Sequence, residues 1–207
     1  MKKIVLIGAG GFGREVYHII ENYNIVGYID KLNKSNYILS EKILGDDDLL
    51  NNLKSKFNCN NVCVTIGNSK LREKLFRSAK SSKLKIPKII NSHSFVASNV
   101  EIGEGSIIYP GAVLMDGVKI GKGVLINSNV TVGHDSSIGD FCNINPGTNI
   151  AGKVKIGNHS TLGIGSSVRE ELTIGNDVII GGGSMVTKNI NDSTLSYGVP
   201  SKPINKI

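Results

Sequence analysis

The chain of 207 residues contains no tryptophan, three cysteines and few aromatic residues of any kind, at 5%. An odd number of cysteines without metal-ligand spacing argues against a disulfide framework and against a metal site, and favours buried free thiols. The net charge is +7, but the lysines are scattered and aromatic stacking residues are scarce. This combination argues against a nucleic-acid-binding surface.

The sequence also lacks long apolar runs. No stretch of about 18 apolar residues is present, so no membrane span is predicted. The apolar run after Lys3 ends at Gly8, which is too short for the core of a signal peptide. These features predict a cytoplasmic protein.

A six-residue period fills the second half of the chain. Every sixth residue from Val96 to Val186 is Ile, Leu or Val, at sixteen consecutive positions, and glycine often follows, as in Ile120-Gly121. Neither the helical nor the strand period sustains such a pattern. A coil of three short faces does, with one aliphatic side chain inside each face and corners at residues that tolerate unusual dihedral angles. We therefore expect about five stacked coils joined by parallel ladders.

The first half alternates strand and helix patterns. Strand patterns at residues 3–8, 26–29 and 62–66 are separated by helix patterns at residues 14–22 and 46–56, and a further helix pattern covers residues 69–81. This order predicts a small βαβαβ unit with a parallel sheet.

A glycine-rich segment follows the first predicted strand. Gly8, Gly10 and Gly13 match G-x-G-x-x-G, and Asp30 ends the second strand. NAD binding is one interpretation and a purely structural turn is another. The unit spans only half a dinucleotide fold, which favours a diphosphate cradle for a nucleotide sugar at the helix N-terminus.

Gly67 and Asn68 follow a later strand, at the edge where open α/β sheets bind ligands. The candidate substrate-binding residues in this half are Gly8, Gly10, Gly11, Gly13, Asp30, Gly67, Asn68 and Arg72.

These motifs, the hexads and a C-terminal Gly-Val-Pro-Ser-Lys at residues 198–202 resemble one bacterial family over essentially the full length. It comprises hexapeptide-repeat acetyltransferases of nucleotide-linked 4-amino-dideoxy sugars and the related sialic acid O-acetyltransferases. The resemblance implies acetyl-CoA as cosubstrate, no metal, a role in surface polysaccharide biosynthesis, and a homotrimer with active sites between neighbouring prisms. We therefore expect a Rossmann-like α/β domain at residues 1–88 and an all-β left-handed parallel β-helix at residues 89–207.

His134 is the principal catalytic candidate. It stands two residues after the inward-facing Val132, so its side chain should point off the prism. Acyl transfer requires the acceptor to lose a proton, which suits an imidazole oriented by a carboxylate. The resemblance implies His134 as general base and Asp135 as its partner, whereas coil spacing makes Asp116 a rival partner. Coil spacing also places Gly152 one coil above His134, where its N–H could face the thioester carbonyl.

The resemblance further implies an acceptor contact at Asn127 and acyl-CoA contacts at Gly152, Ile164 and Gly182. Asn143 stands where the family often has a second histidine, so it can donate a hydrogen bond but carries no charge. Three functions follow: an N-acetyltransferase of a nucleotide-linked 4-amino sugar, a sialic acid O-acetyltransferase, and a non-catalytic nucleotide-sugar-binding scaffold.

Overall fold

A computed structural model describes residues 1–33 and 35–206. The chain divides into two compact units, Met1–Ile89 and Ile90–Ile207.

The first unit is a five-stranded sheet with helices. Its elements are β1 (Lys2–Ile7), α1 (Gly11–Ile19), β2 (Tyr23–Ile29), β3 (Tyr37–Ile38), β4 (Glu41–Gly45), a 3-10 helix (Asp47–Asn52), α2 (Leu53–Phe57), β5 (Val62–Val64) and α3 (Ser69–Ser81). The sheet order is β3-β4-β2-β1-β5, and only β3 runs antiparallel to its neighbour. The predicted parallel βαβαβ core is confirmed. Strands β3 and β4 were not predicted, because they are only two and five residues long and have no clear apolar alternation.

Helix α1 begins three residues earlier than its predicted start at residue 14. Gly11 and Gly13 lie in its first turn, and Gly13 packs directly against the end of β1. A Cβ atom at Gly13 would overlap the Gly8 carbonyl oxygen.

The second unit is a left-handed parallel β-helix, as predicted, with three faces of two-residue strands. The first face contains Phe95–Val96, Val113–Leu114, Thr131–Val132, Asn149–Ile150, Ser167–Val168 and Met185–Val186. The second contains Glu101–Ile102, Lys119–Ile120, Ser137–Ile138, Lys155–Ile156 and Thr173–Ile174. The third contains Ile89–Ile90, Ile107–Ile108, Leu125–Ile126, Asn143–Ile144, Thr161–Leu162 and Ile179–Ile180, and it continues into a C-terminal hairpin of Thr194–Tyr197 and Lys202–Lys206.

The hexad aliphatic residues form the core of the prism. Fourteen of the sixteen are buried, and the first two, Val96 and Ile102, are partly buried and pack against the same core. Neighbouring coils pair in register, as Thr131 with Asn149 and Val132 with Ile150. The predicted core is confirmed.

The corners depart from the expectation that residues which tolerate unusual dihedral angles, such as Gly, Asn and Asp, make the turns. A left-handed residue recurs at every sixth position, and these include Phe141, Lys153 and Glu171, each with φ near 60°. The glycine that follows an inward-facing aliphatic residue is not a left-handed corner residue; it is required by the spacing between coils. A Cβ at Gly103 would lie 2.5 Å from the carbonyl oxygen of Gly121, so this glycine permits close stacking of coils.

Candidate active site

Residues at the end of the adjacent strand fix the conformation of the glycine-rich loop between β1 and α1. Gly8 has φ of 110°, and a Cβ there would lie 2.6 Å from Cδ1 of Ile66, so both conformation and space require glycine. The buried Thr65 hydroxyl donates to the carbonyl oxygens of Ile7 at 3.0 Å and Gly8 at 2.7 Å. Sequence reasoning missed Thr65, which fixes the loop from the adjacent strand.

Asp30 braces the same loop. Its Oδ2 accepts from the Ala9 N–H at 2.8 Å, and its Oδ1 accepts from the N–H groups of Leu32 at 2.8 Å and Asn33 at 3.0 Å. An ionised carboxylate offers about four lone-pair sites, so one remains for a ligand. Asp30 therefore positions the loop, and its direct contact with substrate stays a prediction.

An open cavity of about 700 Å³ lies beside this loop and brings together three predicted residues, Gly8, Gly10 and Asp30. The other lining residues are Ile7, Ile29, Lys31, Leu32, Asn33, Asp47, Ile66, Leu71, Lys74 and Leu75. Leu71, Lys74 and Leu75 were not predicted, although their i, i+3, i+4 spacing on α3 would place them on one face. The cavity combines apolar walls, which suit a nucleotide base, with two lysines and two aspartates.

The remaining predicted residues of this unit lie outside the cavity wall. Gly11 and Gly13 form the first turn of α1, and the exposed Asn68 caps α3 by accepting from the Leu71 N–H at 2.9 Å. Gly67 is exposed beside Asn68.

Arg72 requires a correction. Its side chain is 1% exposed, and its Nη1 donates to the carbonyl oxygens of Ile66 at 2.7 Å and Gly67 at 3.0 Å. A guanidinium buried against backbone carbonyls cannot contact a ligand. Arg72 instead holds the 66–67 segment in place.

His134 and Asp135 lie on one edge of the prism, which we call the histidine edge (residues 115–117, 133–135, 151–153 and 169–171). His134 Nδ1 lies 2.9 Å from Asp135 Oδ2, and both side chains are about 60% exposed. Asp135 adopts the left-handed corner conformation, with φ of 58°, which turns its carboxylate back toward the imidazole. The carboxylate in hydrogen-bond reach is therefore that of Asp135. Asp116 contributes its carbonyl oxygen, which accepts from the Asp135 N–H at 2.9 Å.

The opposite side of the imidazole packs against Gly152, which belongs to the next coil of the prism. A Cβ at Gly152 would lie 2.6 Å from His134 Nε2 and 2.8 Å from Cε1. Within residues 1–33 and 35–206, no acceptor is recorded for the Gly152 N–H. The imidazole and the backbone of the partly exposed Gly152 are therefore neighbours on the histidine edge, and a general base beside a backbone donor is what transfer from a thioester requires.

The other β-helix candidates lie on a different edge, which we call the isoleucine edge (residues 127–129, 145–147, 163–165 and 181–183). Asn127, Ile164 and Gly182 belong to it, and Asn143 lies on the face that leads into it. Ile164 is 66% exposed, and a Cβ at the neighbouring Gly165 would meet nothing within 4 Å. A whole face of the prism separates the two edges, so one prism does not bring these residues to His134.

The cysteines offer no nucleophile. Cys59, Cys63 and Cys142 are free and buried, as predicted. Burial raises the pKa of the Cys63 thiol to about 12, and it also raises the pKa of Cys59. A thiol that stays protonated at neutral pH does not attack a thioester.

In the described part of the chain, no group of three or more His, Cys, Asp or Glu side chains could hold a metal ion. None of the helices formed by the described residues is long and apolar enough to cross a membrane.

Comparison with protein families gives two matches. The PglD N-terminal domain matches residues 3–79, and the bacterial transferase hexapeptide (six repeats) matches residues 117–152 and 153–188. No curated protein matches the sequence significantly.

Solved structures match over nearly the full length. PerB from Caulobacter crescentus, in complex with CoA and GDP-perosamine, is 30% identical, with 99% of this chain and 98% of that chain covered and a TM-score of 0.94. The acetyltransferase domain of PglB from Neisseria gonorrhoeae, solved with acetyl coenzyme A, is 30% identical, with coverage of 98% and 99% and a TM-score of 0.92. WeeI from Acinetobacter baumannii is 27% identical, with coverage of 99% and 100% and a TM-score of 0.88.

Proposed function

Since this chain belongs to the family of hexapeptide-repeat sugar acetyltransferases with a PglD-type N-terminal domain, we propose that it is an acetyl-CoA-dependent N-acetyltransferase. Its acceptor is the 4-amino group of a nucleotide-linked 4-amino-dideoxy sugar. Two similar proteins support this substrate class, because PerB binds CoA and GDP-perosamine and the PglB domain binds acetyl coenzyme A. Both substrates of such a reaction are cytoplasmic metabolites, so we place the reaction in the cytoplasm.

The single observation that carries the proposal is the arrangement around His134. Its Nδ1 faces Asp135 Oδ2 at 2.9 Å, and its Nε2 side lies over Gly152. Nδ1–H donates to the carboxylate, which leaves the Nε2 lone pair free to take a proton. Asp135 also stabilises the imidazolium that forms.

In the reaction, the sugar amine attacks the thioester carbonyl carbon. A C–N bond forms, and the carbonyl oxygen gains negative charge that the Gly152 N–H stabilises. His134 Nε2 removes the proton from the nitrogen. The C–S bond then breaks, and His134 returns the proton to the departing CoA thiolate.

The cavity beside the glycine-rich loop supplies the nucleotide site. The loop lies at the N-terminus of α1, where backbone N–H groups and the helix dipole favour a diphosphate. Lys31 and Lys74 add positive charge, and Leu71 and Leu75 offer an apolar surface for a base. We place the nucleotide there, with Gly8, Gly10 and Asp30 as its nearest predicted contacts.

The separation of the two prism edges supports a closed ring of subunits, and the family resemblance makes that ring a homotrimer. Asn127, Asn143, Ile164 and Gly182 reach His134 only if a second prism presents its isoleucine edge to the histidine edge of the first. Closed rotational symmetry satisfies this requirement for every subunit at once. The groove between two such edges would hold the pantetheine arm.

A product assay tests the proposed function. The protein is incubated with acetyl-CoA and a panel of UDP-, dTDP- and GDP-linked 4-amino-dideoxy sugars, sialic acid and CMP-sialic acid. Thiol release and product mass are followed. We expect thiol release with a 4-amino sugar and an amide product that survives mild alkali. An alkali-labile ester on sialic acid would instead identify an O-acetyltransferase, and no thiol release across the panel would identify a scaffold.

A further inference from the structure

The positive charge of the chain belongs almost entirely to its first unit. Residues 1–89 contain 16 lysines and arginines against eight acidic residues, a net charge of +8, whereas residues 90–207 contain eight against nine, a net charge of −1. The nucleotide cavity accounts for only two lysines, Lys31 and Lys74, and it also contains two acidic residues, Asp30 and Asp47. The excess charge therefore lies elsewhere on this unit.

Part of that excess surrounds a second cavity, at the opposite end of the sheet. This cavity, of about 330 Å³, is lined by Lys2, Lys3, Lys85, Asn58, Asn60 and Asn61. All three charged lining residues are lysines. It lies where β1 and β5 begin, whereas the glycine-rich loop follows the end of β1, six residues and roughly 20 Å away.

The wall of this cavity is built from fixed backbone. Asn61 is 8% exposed, and its Nδ2 donates to the Lys3 carbonyl oxygen at 2.7 Å. The Lys85 N–H donates to the Asn60 carbonyl oxygen at 2.8 Å, and the Lys3 ammonium donates to the Phe57 carbonyl oxygen at 3.0 Å. The Lys3 ammonium and the backbone of Lys85 are therefore held in place beside this opening.

Helix dipoles account for some of the lysines of this unit but not for Lys2 and Lys85. Lys54 and Lys56 in the last turn of α2, and Lys80 in the last turn of α3, complement the negative ends of their helices. The Lys3 ammonium also complements the end of α2, because it donates to the carbonyl oxygen of Phe57, the last residue of that helix. Lys2 lies on a strand and Lys85 on an isolated bridge beside Asn61, so neither belongs to a helix. Lys2, Lys3 and Lys85 line the same cavity, so their positive charges repel one another, and a bound anion would reduce that repulsion.

We propose that this cavity, which we call the lysine cavity, is a second anion site that binds a phosphate or diphosphate group. Ammonium groups and asparagine amides supply donors for the phosphate oxygens. The group is either a free phosphate compound or a phospholipid headgroup. In the second case, the site holds the enzyme against an anionic membrane surface.

The test uses the full-length protein with Lys2, Lys3 and Lys85 all changed to Gln. The matched control changes Lys122, Lys155 and Lys188 to Gln, which removes the same charge from exposed positions of the β-helix. Circular dichroism and the melting temperature check that both variants fold. One arm titrates inorganic pyrophosphate by calorimetry while the nucleotide cavity is saturated with the nucleotide sugar that the product assay identifies, and the other measures co-sedimentation with phosphatidylglycerol or phosphatidylcholine vesicles.

We expect the wild type and the control to bind at least one probe, and the lysine-cavity variant to bind it at least tenfold more weakly. Loss of pyrophosphate binding identifies a soluble ligand, and loss of binding to phosphatidylglycerol vesicles identifies a lipid headgroup. Wild-type binding by the lysine-cavity variant in both arms, an equal loss in the control, or no binding of either probe by the wild type overturns the proposal. Acetyl transfer with saturating substrates is expected to be unchanged in both variants, so failure here is separable from failure of the proposed function.

Discussion

Substitution of Gly152 by alanine tests the position of the imidazole without removing any catalytic atom. The new Cβ would lie 2.6 Å from His134 Nε2, 2.8 Å from Cε1 and 3.0 Å from Cδ2. Ordinary contact between such atoms begins near 3.4 Å, so the ring must retreat by about 1 Å. Alanine keeps the Gly152 N–H, so the proposed oxyanion donor remains.

We expect the substitution to lower the catalytic rate but not the stability of the fold. His134 is 60% exposed, so its ring can swing toward solvent without displacing the core. A misplacement of about 1 Å in a catalytic group costs about a hundredfold in rate. We therefore expect kcat to fall about a hundredfold, while the melting temperature changes by no more than about 2 °C.

Steady-state acetyl transfer and thermal unfolding measure the two effects. The matched control is Glu170→Ala, one coil above Gly152 at the same corner position, for which we expect near wild-type kcat. Wild-type kcat in Gly152→Ala would show that the imidazole does not react from this position. A large fall in melting temperature would show that Gly152 is required for coil packing instead.

Three further predictions concern the site and the stability of the fold. Asp135→Asn should lower kcat roughly tenfold to a hundredfold, and Asp116→Asn much less, because only Asp135 bonds the imidazole; equal effects in steady-state assays would revive Asp116 as the partner. Gly13→Ala should destabilise the first unit by about 3 kcal/mol in urea unfolding, because its Cβ overlaps a backbone carbonyl; a wild-type midpoint would refute the close approach. Burial raises the pKa values of Cys63 and Tyr28 to about 12, so the folded state keeps protons that the unfolded chain releases above about pH 9. The free energy of unfolding should thus fall as the pH rises from about 9 toward 12, and an unchanged urea midpoint over that range would count against the burial of both groups.

The β-helix was predictable because its period is long and its requirement is simple. An aliphatic side chain at every sixth residue has one compact solution, and the buried positions follow from counting. The corner conformations were not predictable from composition, since Phe141 and Lys153 adopt the left-handed conformation alongside glycines. There the hydrogen-bonded coil imposes a backbone conformation against local preference.

The first unit shows where sequence patterns give incomplete answers. Its glycine motif predicted a diphosphate cradle at the helix N-terminus, but the motif alone does not show that Asp30 accepts three hydrogen bonds from backbone N–H groups. Arg72 was predicted as a ligand contact because it follows the end of a strand where open α/β sheets bind ligands, and only the packing of α3 shows that it is buried. Such assignments depend on tertiary contacts that no local pattern records.

The role of His134 as general base is tested most directly by His134→Asn, assayed for acetyl transfer to a nucleotide-linked 4-amino sugar and for acetyl-CoA binding by calorimetry. We predict that kcat falls at least a hundredfold while the Kd for acetyl-CoA changes by less than about threefold, because the base acts on the acceptor amine. A variant that turns over at the wild-type rate would show that another group removes the proton, and the proposed chemistry at the histidine edge would be wrong.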